Sequence, residues 1–400
     1  MMRVLMAQVY NPKNEAFTEI GLPASYEEMK DTLQILHGAN EECTADIQEF
    51  LGKVNPLNNN MIYPCSLYEL NYFATLFSEM QEYEKQQFIG LLECSESECT
   101  EMKEIINVAL NTPKLDCYHA PATTDEDLGQ FCIENELLPQ LSDLEGLTDE
   151  QYEWICKHLD EEKIGQEMRE QEKGVFTSVG YFVKNEEIKQ LYDGEPPLPQ
   201  PADYVFRLEL AQIPDGGQPN DNHTVSLKLP ASEIEIAAAL QEIGAESIYD
   251  CCFYGYESVI VPQLSDCYGD NDDFYILNEF AKEITKLDDD SIVLYKAMLE
   301  AVQCGNFETA VSVYGKMEKF TLEKNCISPS DYADKALESL DIPVKEELNF
   351  YLSKEGYGRS LMQHDGVDRT SYGMLIPMDG IKLSEQIQKQ QTSMEMTMSM

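Results

Sequence analysis

"GLPASYEEMKDTLQIL", residues 21–36, returns as "KLPASEIEIAAALQEI" at 228–243. Leu22, Pro23, Ala24 and Ser25 match Leu229, Pro230, Ala231 and Ser232. Glu28 matches Glu235, and Leu33-Gln34 matches Leu240-Gln241. In each copy a Ser stands three residues before a Glu. That is the spacing of a capping box, in which hydroxyl and carboxylate each accept a backbone N–H of the other residue at a helix start. The chain therefore opens the same short helix twice.

Working outward, the same register persists. "SLYELNYFATLFSEM" (66–80) aligns with "DFYILNEFAKEITKL" (273–287), sharing Leu70-Asn71 with Leu277-Asn278. "FIGLLE" (88–93) aligns with "YKAMLE" (295–300). Each copy then closes on a related motif, "IGQEMREQEKGVFTSVG" (164–180) and "YGRSLMQHDGVDRTSYG" (357–373). There Gly165 answers to Gly358, Thr177 to Thr370, Ser178 to Ser371 and Gly180 to Gly373. Collinear landmarks of this kind point to a duplicated unit of about 190 residues. The expected division is a first unit over 1–190, a linker over 191–203, a second unit over 204–382 and a mobile tail over 383–400. The linker is read from the Pro-rich "YDGEPPLPQPADY" (192–204), since Pro fixes φ and removes donors. The tail is Gln- and Met-rich and unpatterned.

Within each unit the pattern predicts α+β: sheet, then helices, then mixed α/β. "RVLMAQVY" (3–10) and "YVFRLELAQI" (204–213) read as opening strands. "DGGQPNDNH" (215–223) reads as a turn before the strand "TVSLKL" (224–229). Leu67, Leu70, Phe73, Ala74 and Phe77 fall at helical spacing. "DDDSIVLYKAMLEAVQ" (288–303) has an acidic first turn and an apolar stripe through Ile292, Leu294, Tyr295, Met298 and Leu299. "NFETAVSVYGKMEKF" (306–320) and "SPSDYADKALESL" (328–340) continue as helix. The closing motif is expected at a helix end, its glycines serving that end and the turn into a last strand.

The totals narrow the function. Asp plus Glu is 74 against 28 Lys plus Arg, a net charge of −46. Nucleic-acid binding needs clustered cations, so direct contact with nucleic acid is not expected. Anionic membranes are disfavoured likewise, and no stretch is apolar enough to span one. Such a field attracts basic surfaces. Twelve cysteines form no Cys-x-x-Cys pair, which reads as reduced thiols of a cytoplasmic protein. None of the five histidines pairs at i, i+4, and no Gly run is followed by a phosphate-binding Lys. "DCYGDNDDF" (266–274) lacks the order of a calcium loop and reads as a solvated loop. No catalytic residue, metal or cofactor is expected.

The ordered landmarks resemble the ArdA antirestriction family. They are an N-terminal strand with an Asn-rich turn, a P-x-x-x-E-E helix start, a Y-x-x-x-x-Y-E segment, S-x-x-E-L-N and Y-G-R-x-L. The third is clearest from Tyr249 to Glu257, the fourth at Ser66, Glu69, Leu70 and Asn71, the fifth at Tyr357, Gly358, Arg359 and Leu361. The resemblance covers 3–183 and 204–378. The first copy departs from it, with "CTADIQEFLGKV" (43–54) in place of the Tyr-Glu segment and Ile164-Gly165-Gln166 in place of Tyr-Gly-Arg.

The resemblance implies an elongated, non-catalytic DNA mimic, with a sheet-plus-helix, a helical-bundle and a mixed α/β subdomain in each unit. It implies occupation of the DNA-binding channel of a type I restriction-modification enzyme. The family's single units pair, so the tandem is either a homodimer former or an intramolecular pseudo-dimer. Forty-six charges at the density of duplex DNA correspond to about 78 Å of helix axis. The candidate mimic carboxylates are Glu79, Glu82, Glu84, Glu93, Glu96, Glu98, Glu101 and Glu104 in the first copy. In the second they are Glu279, Glu283, Asp288, Asp289, Asp290 and Glu300. The alternative is an acidic interaction module of the same fold that binds another basic DNA-handling protein.

Overall fold

The computed structural model describes residues 2–52, 57, 65–95, 99, 101–115, 117–138, 141, 147–213, 223–265, 267–269, 273–340 and 351–389. The fold is α+β and the chain forms two compact units. The first comprises Met1–Ala24 and Ala39–Leu198; the second comprises Ser25–Gly38 and Pro199–Met400. The helix encoded by the opening stretch of the first repeat thus belongs to the second unit. The expected turn at 215–223 lies outside the described residues except for His223, and the tail beyond 389 lies outside them.

The first unit opens with β1 (Leu5–Asn11), β2 (Ala16–Leu22) and β3 (Thr44–Phe50), an antiparallel sheet in the order β2-β1-β3. Leu5, Ala7 and Val9 are buried while Met6 and Gln8 between them are half-exposed, the period-two signature of a one-sided sheet. Next come α2 (Leu67–Glu79), α3 (Glu82–Cys94) and α4 (Met102–Asn111). Leu67, Leu70, Phe73, Ala74 and Phe77 are all buried, as their spacing predicts. Phe73, Phe77 and Phe88 pack with ring centroids 6.0 Å apart, Phe73 stacked on Phe77 and Phe88 edge-on to Phe77. The unit closes with β4 (Cys117–Ala120), α5 (Asp125–Glu134), α6 (Asp149–Cys156), α7 (Glu161–Glu172), β5 (Val175–Thr177) and β6 (Gly180–Lys184). The second sheet has the order β4-β6-β5.

The second unit repeats this order. Its first sheet joins β7 (Phe206–Gln212), β8 (Thr224–Leu229) and β9 (Cys251–Ser258) as β8-β7-β9, with α8 (Glu233–Ile243) between β8 and β9. The helical part is α9 (Phe274–Ile284), α10 (Asp289–Ala301) and α11 (Phe307–Tyr314). It ends with β10 (Phe320–Glu323), α12 (Pro329–Ser339), α13 (Lys354–Asp365), β11 (Asp368–Thr370) and β12 (Gly373–Pro377), ordered β10-β12-β11. One continuous apolar core runs through it, including Phe206, Leu277, Tyr295 and Leu375, each fully buried. The remaining helix of this unit is α1 (Tyr26–Ile35).

The repeated landmarks have repeated physical roles. Asn71 accepts the N–H of Ala24 at 2.7 Å and donates to its carbonyl at 3.3 Å. Asn278 does the same to Ala231, at 2.7 and 2.9 Å. All four residues are buried, so each Asn side chain satisfies backbone groups that water cannot reach. This is why Leu-Asn and Pro-Ala-Ser recur together. Ser25 and Ser232 cap α1 and α8 in full capping boxes with Glu28 and Glu235.

Three expectations change. The closing motif does end a helix on Gly366 and turn at Gly373, as expected, but Gly165 and Gly358 lie within α7 and α13. A Cβ at Gly165 would stand 1.8 Å from the Asp125 carbonyl oxygen, and one at Gly358 1.8 Å from that of Pro329. Hydrogen at these positions lets α7 cross α5 and α13 cross α12 in close contact. The helix ends are Lys173 in the first copy and the motif's own Gly366 in the second, both left-handed, at φ 57° and 68°. Second, 306–320 is helical only as far as Tyr314; Phe320 and Leu322 pair with Pro377 and Leu375 in a strand. Third, the expected mobile tail begins as helix over 383–389, because Leu383 and Ile387 at i, i+4 are buried in the core.

The linker region, 185–204, contains no helix or strand. Part of it is strapped to α4: Asn107 accepts the N–H groups of Leu191 and Tyr192 at 2.6 and 2.9 Å, and Asn111 accepts that of Lys189 at 3.2 Å.

Candidate functional site

The candidate carboxylates sit mostly at helix starts. Glu82 and Glu84 occupy the first turn of α3, Glu101 stands at the N-cap position of α4, and Glu104 follows in its first turn. Asp288 caps α10, with Asp289 and Asp290 in its first turn. Glu79 ends α2, Glu93 and Glu300 lie near the ends of α3 and α10, and Glu279 and Glu283 lie on α9. Glu96 and Glu98 lie outside the described residues. Glu79, Glu82, Glu101, Glu279, Asp288, Asp289 and Asp290 are exposed; Glu84, Glu93, Glu104, Glu283 and Glu300 are half-buried.

Their partners divide them into three kinds. Some hold helix starts, where unpaired N–H groups and the helix dipole favour an anion. Glu84 accepts the Gln81 N–H at 2.7 Å, Glu104 that of Glu101 at 2.9 Å, and Asp288 that of Ser291 at 2.8 Å. The hydrogen bonds from Ser291 hold the Asp288 carboxyl below the usual aspartate range.

Others hold a turn. Glu93 accepts the Ser178 N–H at 2.7 Å and its hydroxyl, and Glu300 accepts the N–H and hydroxyl of Ser371 at 2.9 and 3.0 Å. Thr177 and Thr370 close the same turns by donating to the Gly180 and Gly373 carbonyls at 2.7 and 2.9 Å. The Thr-Ser-x-Gly of each closing motif and the Glu of each "LLE/MLE" block are therefore two halves of one clamp.

The third kind pair with exposed cations. Asp289 meets Lys30 at 2.8 Å, Glu279 meets Lys282 at 2.6 Å, Glu283 meets Lys286, and Asp290 meets Lys324. Exposed pairs of this kind are worth about 0–1 kcal/mol. A stronger cation from a partner can replace the lysine at little cost.

Sequence reasoning missed a buried polar network in the second unit. Asp31 on α1 accepts the Lys296 ammonium at 2.8 Å and the Tyr372 hydroxyl at 2.7 Å, and Gln263 donates to that hydroxyl at 2.7 Å. Asp31, Lys296 and Tyr372 are 5%, 3% and 1% exposed. Burial lowers the Lys296 pKa, with Asp31 opposing that shift, and burial raises that of Tyr372. Around the network Ile35 and Leu322 pack on Val293, Ala297 and Tyr372. Asp31 on α1 and Lys296 on α10 are far apart in the sequence, and nothing in it pairs them.

The histidines that pack do so through ring faces. His119 stacks on Phe182 at 4.5 Å and His158 on Trp154 at 4.3 Å. All twelve cysteines are free, and burial pushes Cys94, Cys251 and Cys326 up to about 11. Among the described residues no group of three or more His, Cys, Asp and Glu is placed to hold a metal ion. An open cleft in the first unit is lined by Tyr72, Tyr192, Asp193 and Glu195 among others, with no Ser, Cys, His or Lys in its wall. Of Asp266–Asp273, Cys267 and Tyr268 are buried and Asp273 caps α9; residues 266 and 270–272 lie outside the described residues. No helix among the described residues is long and apolar enough to cross a membrane. Comparison of the chain with protein-family models and with curated proteins finds no match.

Proposed function

We propose that this chain is an antirestriction protein of the ArdA type: a DNA mimic that occupies the DNA-binding channel of a type I restriction-modification enzyme. The observation that carries the reading is the charge. With 74 acidic residues against 28 basic ones, pairing every cation still leaves a net −46. The helix starts of both units present part of that excess to solvent, as at Glu82, Glu101 and Asp288. The two-fold repetition of sheet, helices and mixed α/β supports the same reading, because it follows the order of the motifs that suggested the family.

The mechanism is competition. Carboxylates that repel one another in the free protein are relieved in a cationic channel, and the field steers the encounter at long range. The test is inhibition of DNA cleavage and methylation by a purified type I enzyme, titrated with salt and with competing duplex DNA. Inhibition should weaken as salt rises and as duplex is added. Absence of inhibition at stoichiometric excess in low salt, or inhibition indifferent to salt, refutes the proposal. Binding to some other basic DNA-handling protein, with the type I enzyme untouched, establishes the alternative module.

A further inference from the structure

The strap that follows β6 in the first unit builds a wall. Asn107 accepts the N–H groups of Leu191 and Tyr192 and donates to the Tyr192 carbonyl at 3.1 Å. The Lys103 ammonium donates to the Asp193 carbonyl at 2.6 Å, and the Tyr192 hydroxyl donates to Glu69 at 3.2 Å. Tyr192 is 5% exposed, and its ring centroid lies 5.6 Å from that of half-buried Tyr72 on α2. A segment that served only as a tether would need none of these bonds.

Between this wall and α2 lies a cleft of about 450 Å³. That volume is within the range of ligand sites, roughly 300–1,000 Å³. Its lining joins the two tyrosines to two exposed carboxylates, Asp193 and Glu195. Among the described residues neither carboxylate is paired with a cation: Asp193 accepts the Glu195 N–H at 3.3 Å, and Lys103 is committed to a carbonyl. Behind Tyr192, Glu69 is half-buried; burial raises its pKa, the Tyr192 hydroxyl opposes that shift, and Glu101 adds to it. The second unit changes the same positions. Glu279 stands where Tyr72 stands and Ile276 where Glu69 stands, and after β12 the chain turns into a helix buried through Leu383 and Ile387. The cleft is therefore a property of the first unit and not of the repeated fold.

We propose that this cleft seats an arginine side chain of the basic partner, which rests on the binding of a basic surface proposed above. An aromatic wall attracts the planar, weakly hydrated guanidinium more than the strongly hydrated lysine ammonium. The N–H donors of the guanidinium suit Asp193 and Glu195 together. Charge spread over helix starts attracts a basic channel without fixing a register; one seated arginine supplies the fixed point.

The test is NMR of the full chain, isotope-labelled on its tyrosine rings, titrated with N-acetyl-arginine amide. Tyr72→Leu identifies the Tyr72 signal by deleting it. That signal should shift with a Kd on the order of a few millimolar, less with the lysine amide, and not with the citrulline amide, which keeps the shape and lacks the charge. Asp193→Asn with Glu195→Gln, both at exposed positions, should weaken the arginine titration by at least about fivefold. The same double variant should also inhibit a type I enzyme at least about tenfold less well than Glu126→Gln with Glu150→Gln. That control removes the same charge from the exposed first turns of α5 and α6. A Tyr72 signal that stays still, follows citrulline equally or ignores the double variant overturns the proposal. So does inhibition that falls equally in the two double variants. No enzyme enters the titration, so a wild type that inhibits no type I enzyme defeats the proposed function alone, and the titration still decides the cleft.

Discussion

Replacing Lys296 by Met should destabilise the second unit by about 3–5 kcal/mol, the usual cost of stranding one member of a buried ion pair. Asp31 is only 5% exposed, and Tyr372, at 2.7 Å, is its one remaining side-chain donor among the described residues. Asp31→Ala strands the ammonium instead, but a lysine can shed its proton. Neutralising it at pH 7 costs at most about 5 kcal/mol from its ordinary range, and burial already lowers its pKa. The single losses should therefore be comparable. The double variant Asp31→Ala, Lys296→Met removes both charges and leaves only the Tyr372 hydroxyl short of an acceptor. Its expected cost is about 0–2 kcal/mol, well below the sum of the single variants. Urea unfolding followed by far-ultraviolet circular dichroism measures this. Indole fluorescence is the wrong probe, because Trp154 lies in the first unit. A Lys296→Met variant within 1 kcal/mol of wild type, or singles that add up in the double, refutes the reasoning.

Gly358→Ala should lower the stability of the second unit by about 2–3 kcal/mol, because its Cβ meets the rigid Pro329 carbonyl at 1.8 Å. Gly356→Ala on the same helix meets only the Ser353 side chain and should be neutral or stabilising; thermal melts that fail to separate the two count against the helix-crossing account. Asn71→Ala strands the N–H and carbonyl of buried Ala24 and should cost about 2–4 kcal/mol by urea unfolding, with Asn278→Ala similar at Ala231. Burial raises the phenol pKa of Tyr256, Tyr295 and Tyr372. The unfolded chain ionises these phenols near 10, so the stability they confer is intact below that pH and is lost as pH rises above it. Phenolate absorbance for these residues should appear only with loss of dichroism; full ionisation with the fold intact contradicts this.

The features visible in the sequence were those in which both partners of a contact recur. Pro-Ala-Ser and Leu-Asn are one hydrogen-bonded device, the "LLE/MLE" glutamate and Thr-Ser another, so duplication displays them twice. The Asp31–Lys296–Tyr372 network was invisible because its counterparts are Ala238, Ile89 and Val179, which removes any repeat signal. Backbone freedom is the commonest use of glycine, and Gly366 at φ 68° uses it at the helix end as expected, whereas Gly165 and Gly358 do not. Here the absent Cβ is what matters, and only the crossing helix reveals that. Leu383 and Ile387 did carry a signal, a helical i, i+4 pair, masked by the polar residues around it. Glu84 and Glu104 hold helix starts without a Ser or Thr three residues before them, so the spacing that marked α1 and α8 did not mark these.

The carboxylates at helix starts and turns carry a lineage consequence. Glu84, Glu104 and Asp288 hold helix ends, and Glu93 and Glu300 hold turns, while each also adds to the outward field. Drift that erased such a charge would first loosen the fold, so selection on folding alone retains these charges. On the proposed function, a descendant that lost its target would still keep these charges and offer them to a new basic partner.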